Sequence, residues 1–180
     1  MMQSPEIELW AMDEVILQLH GTTCKTWIAP EDTDPVVFHN PVKKNVRYYG
    51  AVRLCDGKVV YQREMNTFNG DSCHTFLKYL RKITARSSKK TVILADRAPY
   101  HRARVHKDWR EACSDKFSLE FLPPYSPELN PIERVWKFTR RACTHNIYFP
   151  AIDDIVTAVE PQFDQWRNRS ETLQSLCAVT

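Results

Sequence analysis

The chain has 180 residues, of which 43% are hydrophobic and 26% charged, and a net charge of +3. This is long enough for one domain with a real core, and the composition excludes a disordered or fibrous chain. No apolar run approaches the roughly 20 residues of a membrane span, and the start Met1-Met2-Gln3-Ser4-Pro5 lacks the basic and apolar stretches of a secretory signal, so a cytoplasmic protein with no membrane partner is expected.

Taken in order, Ile7 to Met12 alternates with apolar groups on both faces, which predicts a central strand ending at Asp13-Glu14. Residues 20–44 carry Pro30, Pro35 and Pro41 and no clear periodicity, so they read as a long insert. Asn45 to Leu54 and Lys58 to Glu64 are β-rich runs around Asp56-Gly57, a hairpin turn signal. Asn69 or Asp71 can cap a helix running to about Arg86, with Phe76, Leu77, Leu80 and Ile83 on its apolar side. Thr91 to Ala95 predicts a second buried strand ending in Asp96, Pro99 to about Cys113 a helix, and Phe117 to Leu122 a short strand. The spacing of Ile132, Val135, Trp136, Thr139 and Cys143 predicts a helix opened by Asn130 as N-cap and Pro131. A last helix spans Ala151 to Trp166, with Pro161 expected to kink or split it. Residues 1–168 then form the domain, and residues 169–180 a tail expected to fray. The order predicts an α/β fold: a mixed five-stranded sheet, antiparallel hairpin plus parallel strands, flanked by helices.

The six cysteines contain no CxxC pair, so reduced structural thiols are expected rather than a zinc site or disulfide framework. The positive charge falls in runs: Lys78 to Lys90, then Arg97, Arg102, Arg104, Lys107 and Arg110, then Arg134, Lys137, Arg140 and Arg141. Any one of these can be a solvated helix face. Three of them beside candidate carboxylates suit a polyanion.

Three acids stand where packing does not ask for them. Asp13 and Asp96 end predicted strands, and in α/β sheets sites collect beyond the carboxyl ends of parallel strands. Glu133 opens a helix behind Pro123, Pro124, Pro127 and Pro131, a stiff approach with little chain entropy left to lose. Each acid has a plain structural role as the alternative: a strand end for Asp13, a turn residue for Asp96, a capping box with Asn130 for Glu133. Glu14 and Glu128 are rival acids. Gathered together, three carboxylates need a cation, and all-oxygen ligands suit Mg²⁺ or Mn²⁺ in the paired arrangement that serves phosphoryl transfer.

The segments Met12-Asp-Glu14, Val92-Ile-Leu-Ala-Asp-Arg-Ala-Pro-Tyr-His101 and Leu122-Pro-Pro-Tyr-Ser-Pro-Glu-Leu-Asn-Pro-Ile-Glu-Arg-Val-Trp136 resemble the DDE transposases of the mariner-type superfamily, above all its bacterial insertion-sequence branch. The resemblance covers nearly the whole chain. It implies an RNase H-like fold and cut-and-paste DNA transposition. Asp13, Asp96 and Glu133, rather than Glu128, become a catalytic triad holding two Mg²⁺ (or Mn²⁺). It further implies transposon ends and target DNA as partners, a homodimer assembled on DNA, and a nucleoid-associated bacterial protein. The insert at 20–44, with Trp27-Ile-Ala-Pro30, looks like the clamp between paired subunits. Arg97, His101, Arg102, Arg104, Lys107, Arg134, Lys137, Arg140 and Arg141 are then the candidate DNA contacts, with a packed or solvated ring as the alternative for His101. The sequence departs from the family twice. Arg97 stands where an Asn is usual after the second acid, and the helix-turn-helix region of relatives does not precede the first strand. A separately encoded helix-turn-helix half, or a truncated relic, is the matching expectation. The competing readings are an inactive or partner-dependent DNA-binding and assembly module, and an RNase H-like ribonuclease with the same acids.

Overall fold

Burial on both faces at Trp10, Ala11 and Met12 suits β1 (Ile7–Gln18) to the centre of one mixed sheet in the order β3-β2-β1-β4-β5. The computed structural model describes residues 6–25, 29 and 36–178. Strands β2 (Asn45–Arg53) and β3 (Val59–Glu64) form the antiparallel hairpin on one side of β1; β4 (Lys90–Ala95) and β5 (Phe117–Phe121) run parallel to β1 on the other. Gly57, at φ +70°, supplies the left-handed residue that the hairpin turn requires. The mixed sheet expected from the element order is the one present.

Both faces of the sheet are covered. On one, Ala11, Val15, Tyr48 and Val52 pack against α3 (Ile132–Cys143) and α4 (Ile152–Gln165). On the other, Trp10, Met12, Tyr49 and Ile93 pack against α1 (Gly70–Thr84). Helix α1 starts where Asn69 accepts the backbone N–H groups of Asp71 and Ser72, and it buries Phe76, Leu77 and Leu80 completely. Each of those side chains contributes roughly 1.5–3 kcal/mol.

Four expectations need correction. β1 does not end at Asp13: its parallel pairing with β4 stops at Ala11, but its antiparallel pairing with β2 continues to Gln18. Residues 99–113 are not one helix. Two 3-10 turns (Pro99–Arg102 and Arg104–His106) precede a short α2 (Lys107–Cys113), because His101 and His106 both turn inward, a spacing that no single α-helical face provides. Helix α4 runs unbroken across Pro161; burial of Ile155, Val159 and Phe163 outweighs the roughly 3 kcal/mol an interior proline costs. Beyond Asn168 the chain does not fray but forms α5 (Glu171–Leu176), capped by Ser170, with Leu173 and Cys177 fully buried. Arg134 donates to the carbonyls of Leu176 and Ala178 at the far end of α5, both at 3.0 Å.

The insert is irregular where described and is tied to the chain after α3: Asn40 donates to the carbonyls of Phe149 and Pro150. Trp27, Ile28 and Pro30 of the expected clamp lie outside the described residues. No described helix is long and apolar enough to cross a membrane.

Candidate active site

The parallel ladder between β1 and β4 ends at the pair Ala11–Leu94, and Asp13 and Asp96 each lie two residues beyond it. Both residues therefore lie at the same end of the sheet, where β4 has stopped and β1 continues against β2. Glu133, in the first turn of α3, completes the group. All three line one cleft of about 550 Å³, together with Arg97, Arg102, Asn130 and the proline-rich segment from Leu122 to Pro127.

Asp13 is the buried member. Burial first, then the charges of Glu14, Glu133 and Asp96, push its pKa from 3.8 up to about 8. The indole N–H of Trp136 donates to its Oδ2 at 3.2 Å. That bond depends on Gly50, the residue opposite Asp13 in the antiparallel register. A Cβ on Gly50 would clash with Trp136 Cη2, so glycine lets the indole lie across β2 and reach the carboxylate.

Asp96 is the exposed member, its side chain 53% accessible. Its Oδ1 accepts the Ala98 N–H at 2.9 Å and faces His101 Nδ1 at 2.7 Å. The hydrogen bond from His101 keeps this carboxyl below its usual range, against the effect of burial. Both bonds fall on one oxygen of the pair.

Glu133 escapes the alternative role of capping partner. Pro131, not Asn130, stands at the N-cap of α3, and no side chain caps that helix. Asn130 is buried and its Nδ2 donates to the Met12 carbonyl at 3.2 Å, which ties the proline-rich approach to β1 next to Asp13. Its Oδ1 is buried without a hydrogen-bond partner among the described residues.

The rival acids separate cleanly. Glu128 is exposed in a 3-10 turn and does not line the cleft. Glu14 points to the opposite face of β1 from Asp13, as strand alternation requires. There its Oε1 lies 2.8 Å from His101 Nε2, and its Oε2 accepts from the Tyr100 hydroxyl at 2.8 Å. Both ring nitrogens of His101 thus face acidic oxygens, and the ring has no exposed surface. Burial alone would lower the pKa of His101, but the bonds to Asp96 and Glu14 more than offset it and hold it at about 10.

His101 is therefore no DNA contact: a ring with no exposed surface cannot meet a phosphate. Arg134 is also engaged, holding the end of α5. Arg97 and Arg102 are exposed on the cleft, with Arg97 Nε donating to the Leu122 carbonyl at 3.0 Å. Arg104 and Lys107 are exposed, Lys107 beside Glu111, and Lys137 and Arg141 stand exposed on α3, with Arg140 half-buried. Sequence reasoning missed Gly50, Trp136 and Asn130 as parts of the site. A glycine inside a β-rich run was the available signal for the first; Trp136 was absorbed into a core stripe and Asn130 into a cap.

Whether a divalent cation suits these residues can be judged from the donor set. Three carboxylates on one cleft, one held un-ionised near neutrality first by burial and then by neighbouring acids, form an all-oxygen site that a hard dication would relieve. Among the described residues no three His, Cys, Asp or Glu side chains are gathered closely enough to hold an ion as they stand, so binding would have to draw the acids inward.

The mixed sheet with helices on both faces, and with two acids just past the point where its central parallel ladder stops, is an RNase H-like fold. Residues 8–156 match the DDE superfamily endonucleases, and the chain belongs to that family. It is 27% identical over 147 residues to the insertion element IS630 uncharacterized 39 kDa protein of Shigella sonnei, covering 79% of this chain and 40% of that one. It is 44% identical over 66 residues to the uncharacterized protein y4pE/y4sA of Sinorhizobium fredii, covering 37% and 45%. The chain thus spans less than half the length of these curated relatives. Its fold is similar to that of the Mos1 transposase, in a paired-end complex with left transposon end and in a paired end complex with Mn. Both have a TM-score of 0.71, at 17% and 18% identity, and cover 94% of this chain and 51% of that chain.

Proposed function

We propose that this chain is the catalytic domain of a transposase that cuts and joins DNA strands with divalent metal held by Asp13, Asp96 and Glu133. The observation that carries the reading is the convergence of these three acids on one cleft whose rim bears Arg97 and Arg102. Membership of the DDE endonucleases supports it, as does a fold shared with a transposase whose complexes were solved with Mn and with Mg.

Bound there, Mg²⁺ or Mn²⁺, as two ions in the proposed arrangement, would supply Lewis acidity to the entering and departing oxygens of phosphoryl transfer. The chain's own residues set the frame. Trp136 and His101 each hold one carboxylate oxygen, fixing the orientation of Asp13 and Asp96. Arg97 and Arg102 meet phosphate, with Arg104, Lys107, Lys137, Arg140 and Arg141 extending a track for the backbone that reads no sequence. In the first step a water oxygen attacks phosphorus, the bond to the 3′-oxygen breaks, and that oxygen takes up a proton. In the second, the freed 3′-hydroxyl attacks a target phosphodiester in the same way. Transposon ends and target are the proposed DNA partners, in a homodimer assembled on DNA, with a separately encoded helix-turn-helix half as a further proposed partner.

A competing reading, a DNA-binding remnant that no longer cuts, is favoured by the absence of a preformed three-ligand cluster among the described residues. Supercoiled plasmid with Mg²⁺ or Mn²⁺ separates the two. The wild-type chain is expected to nick it, and Asp96→Asn to bind DNA and melt normally without nicking. A wild type that binds but never cuts with either ion selects the remnant, and equal nicking by Asp96→Asn rejects the triad.

A further inference from the structure

We infer that Glu14 and His101 form a strut that positions Asp96 for metal, a role that rests on the reading of Asp96 as a ligand. The backbone ladder between β1 and β4 ends at Ala11–Leu94, so no strand pairing fixes Asp96 relative to Asp13. The imidazole of His101 spans this gap. Nδ1 faces Asp96 Oδ1 at 2.7 Å, and Nε2 faces Glu14 Oε1 at 2.8 Å. Glu14 sits on β1 itself, next to Asp13 in sequence but on the opposite face, so the strut ties the second acid to the strand that carries the first.

The anchor is stiff at both ends. Glu14 is nearly inaccessible, and its second oxygen accepts from the Tyr100 hydroxyl at 2.8 Å. Tyr100 packs edge-on against His101 with centroids 4.8 Å apart, and its carbonyl lies 2.8 Å from His106 Nε2. The same segment is pressed against the start of α1, where a Cβ on Gly70 would crowd Ala103 and Val105. Because His101 and the Ala98 N–H both engage Oδ1, they settle which oxygen of Asp96 is left for the cleft. Glu14 itself does not line the cleft, and its contact with Asp96 is made only through His101.

The test uses Mn²⁺ alone as probe, with affinity read by calorimetry or electron paramagnetic resonance and melting read in parallel. The amide nitrogen of His101→Asn replaces Nδ1 and keeps the Asp96 bond; that of His101→Gln replaces Nε2 and keeps only the Glu14 bond. His101→Gln is expected to weaken Mn²⁺ binding by about 10- to 100-fold, the usual cost of losing such a partner. His101→Asn should lose clearly less at a similar melting temperature, and Glu14→Ala should weaken binding although it never touches the cleft. Wild-type affinity in His101→Gln and Glu14→Ala, or losses in both His101 variants that merely follow melting, overturns the strut while leaving the catalytic reading intact. A wild type that binds no Mn²⁺ overturns both.

Discussion

Asp13→Asn is expected to raise the melting temperature of the metal-free protein while it ends strand cleavage. Asp13 titrates near 3.8 when unfolded and at about 8 in the fold, because burial and the neighbouring acids oppose its charge. Between those values the folded state holds a proton that the unfolded state has released. Stability therefore falls as pH rises from about 4 to about 8, and the whole deficit is present above the folded value. Asn never ionises, so its contribution is flat. The difference between variant and wild type should be near zero at pH 4 and reach on the order of a few kcal/mol at pH 8, or roughly 5 °C or more in melting temperature. Added Mn²⁺ should then raise the wild type's melting temperature and leave that of the variant unmoved, since only the ionised cluster gains by binding. Nicking should fall by on the order of 10²–10³-fold or more, the scale set by removing one group that stabilises transition-state charge. Thermal melts at several pH values check the sign. A variant less stable than wild type at pH 8, or a difference that ignores pH, would show that Asp13 is not held un-ionised by its surroundings.

That tension between stability and activity explains what could be read in advance. The hairpin at Asp56-Gly57, the cap at Asn69 and the buried stripe of Ile132, Val135, Trp136, Thr139 and Cys143 are local signals, and each appears in the fold as expected. Asp13 misled for a physical reason. An acid normally marks the end of a strand, yet here it sits inside one because a neighbouring strand stops early and opens a cleft beside it. The roles of Glu14 and His101 depend on which face of β1 each side chain meets across eighty-odd residues of chain, so no local spacing could assign them. Asn130 has the composition of a cap and the geometry of a tie, and only the position of the Met12 carbonyl distinguishes the two. The candidate acids were legible because the motif segments single them out; the residues that hold them were not, because long-range packing decides which group reaches which oxygen.

The second large effect is expected at Gly50, which touches no substrate. Gly50 faces Asp13 across the β1–β2 ladder, and the Trp136 ring fills the space where its side chain would stand. The ring cannot retreat, being fully buried and edge-on to Phe163 at 6.0 Å. Gly50→Ala should therefore cost about 1–3 kcal/mol through overpacking and also swing the indole N–H away from Asp13, to which it now donates at 3.2 Å. The two effects can be parted with Trp136→Phe, which keeps an aromatic wall but has no donor. Its melting temperature should fall by several degrees for the lost volume, while the Mn²⁺ concentration for half-maximal nicking rises by about 10- to 100-fold, as for other partners that orient a metal-binding carboxylate. Gly50→Ala should show the same displaced Mn²⁺ midpoint, because it breaks the same bond from the other side. A Trp136→Phe protein that melts lower but keeps the wild-type midpoint would reduce Trp136 to packing, and Gly50 with it. A shared shift in both variants would mean that a glycine on the neighbouring strand governs how the first acid meets its metal.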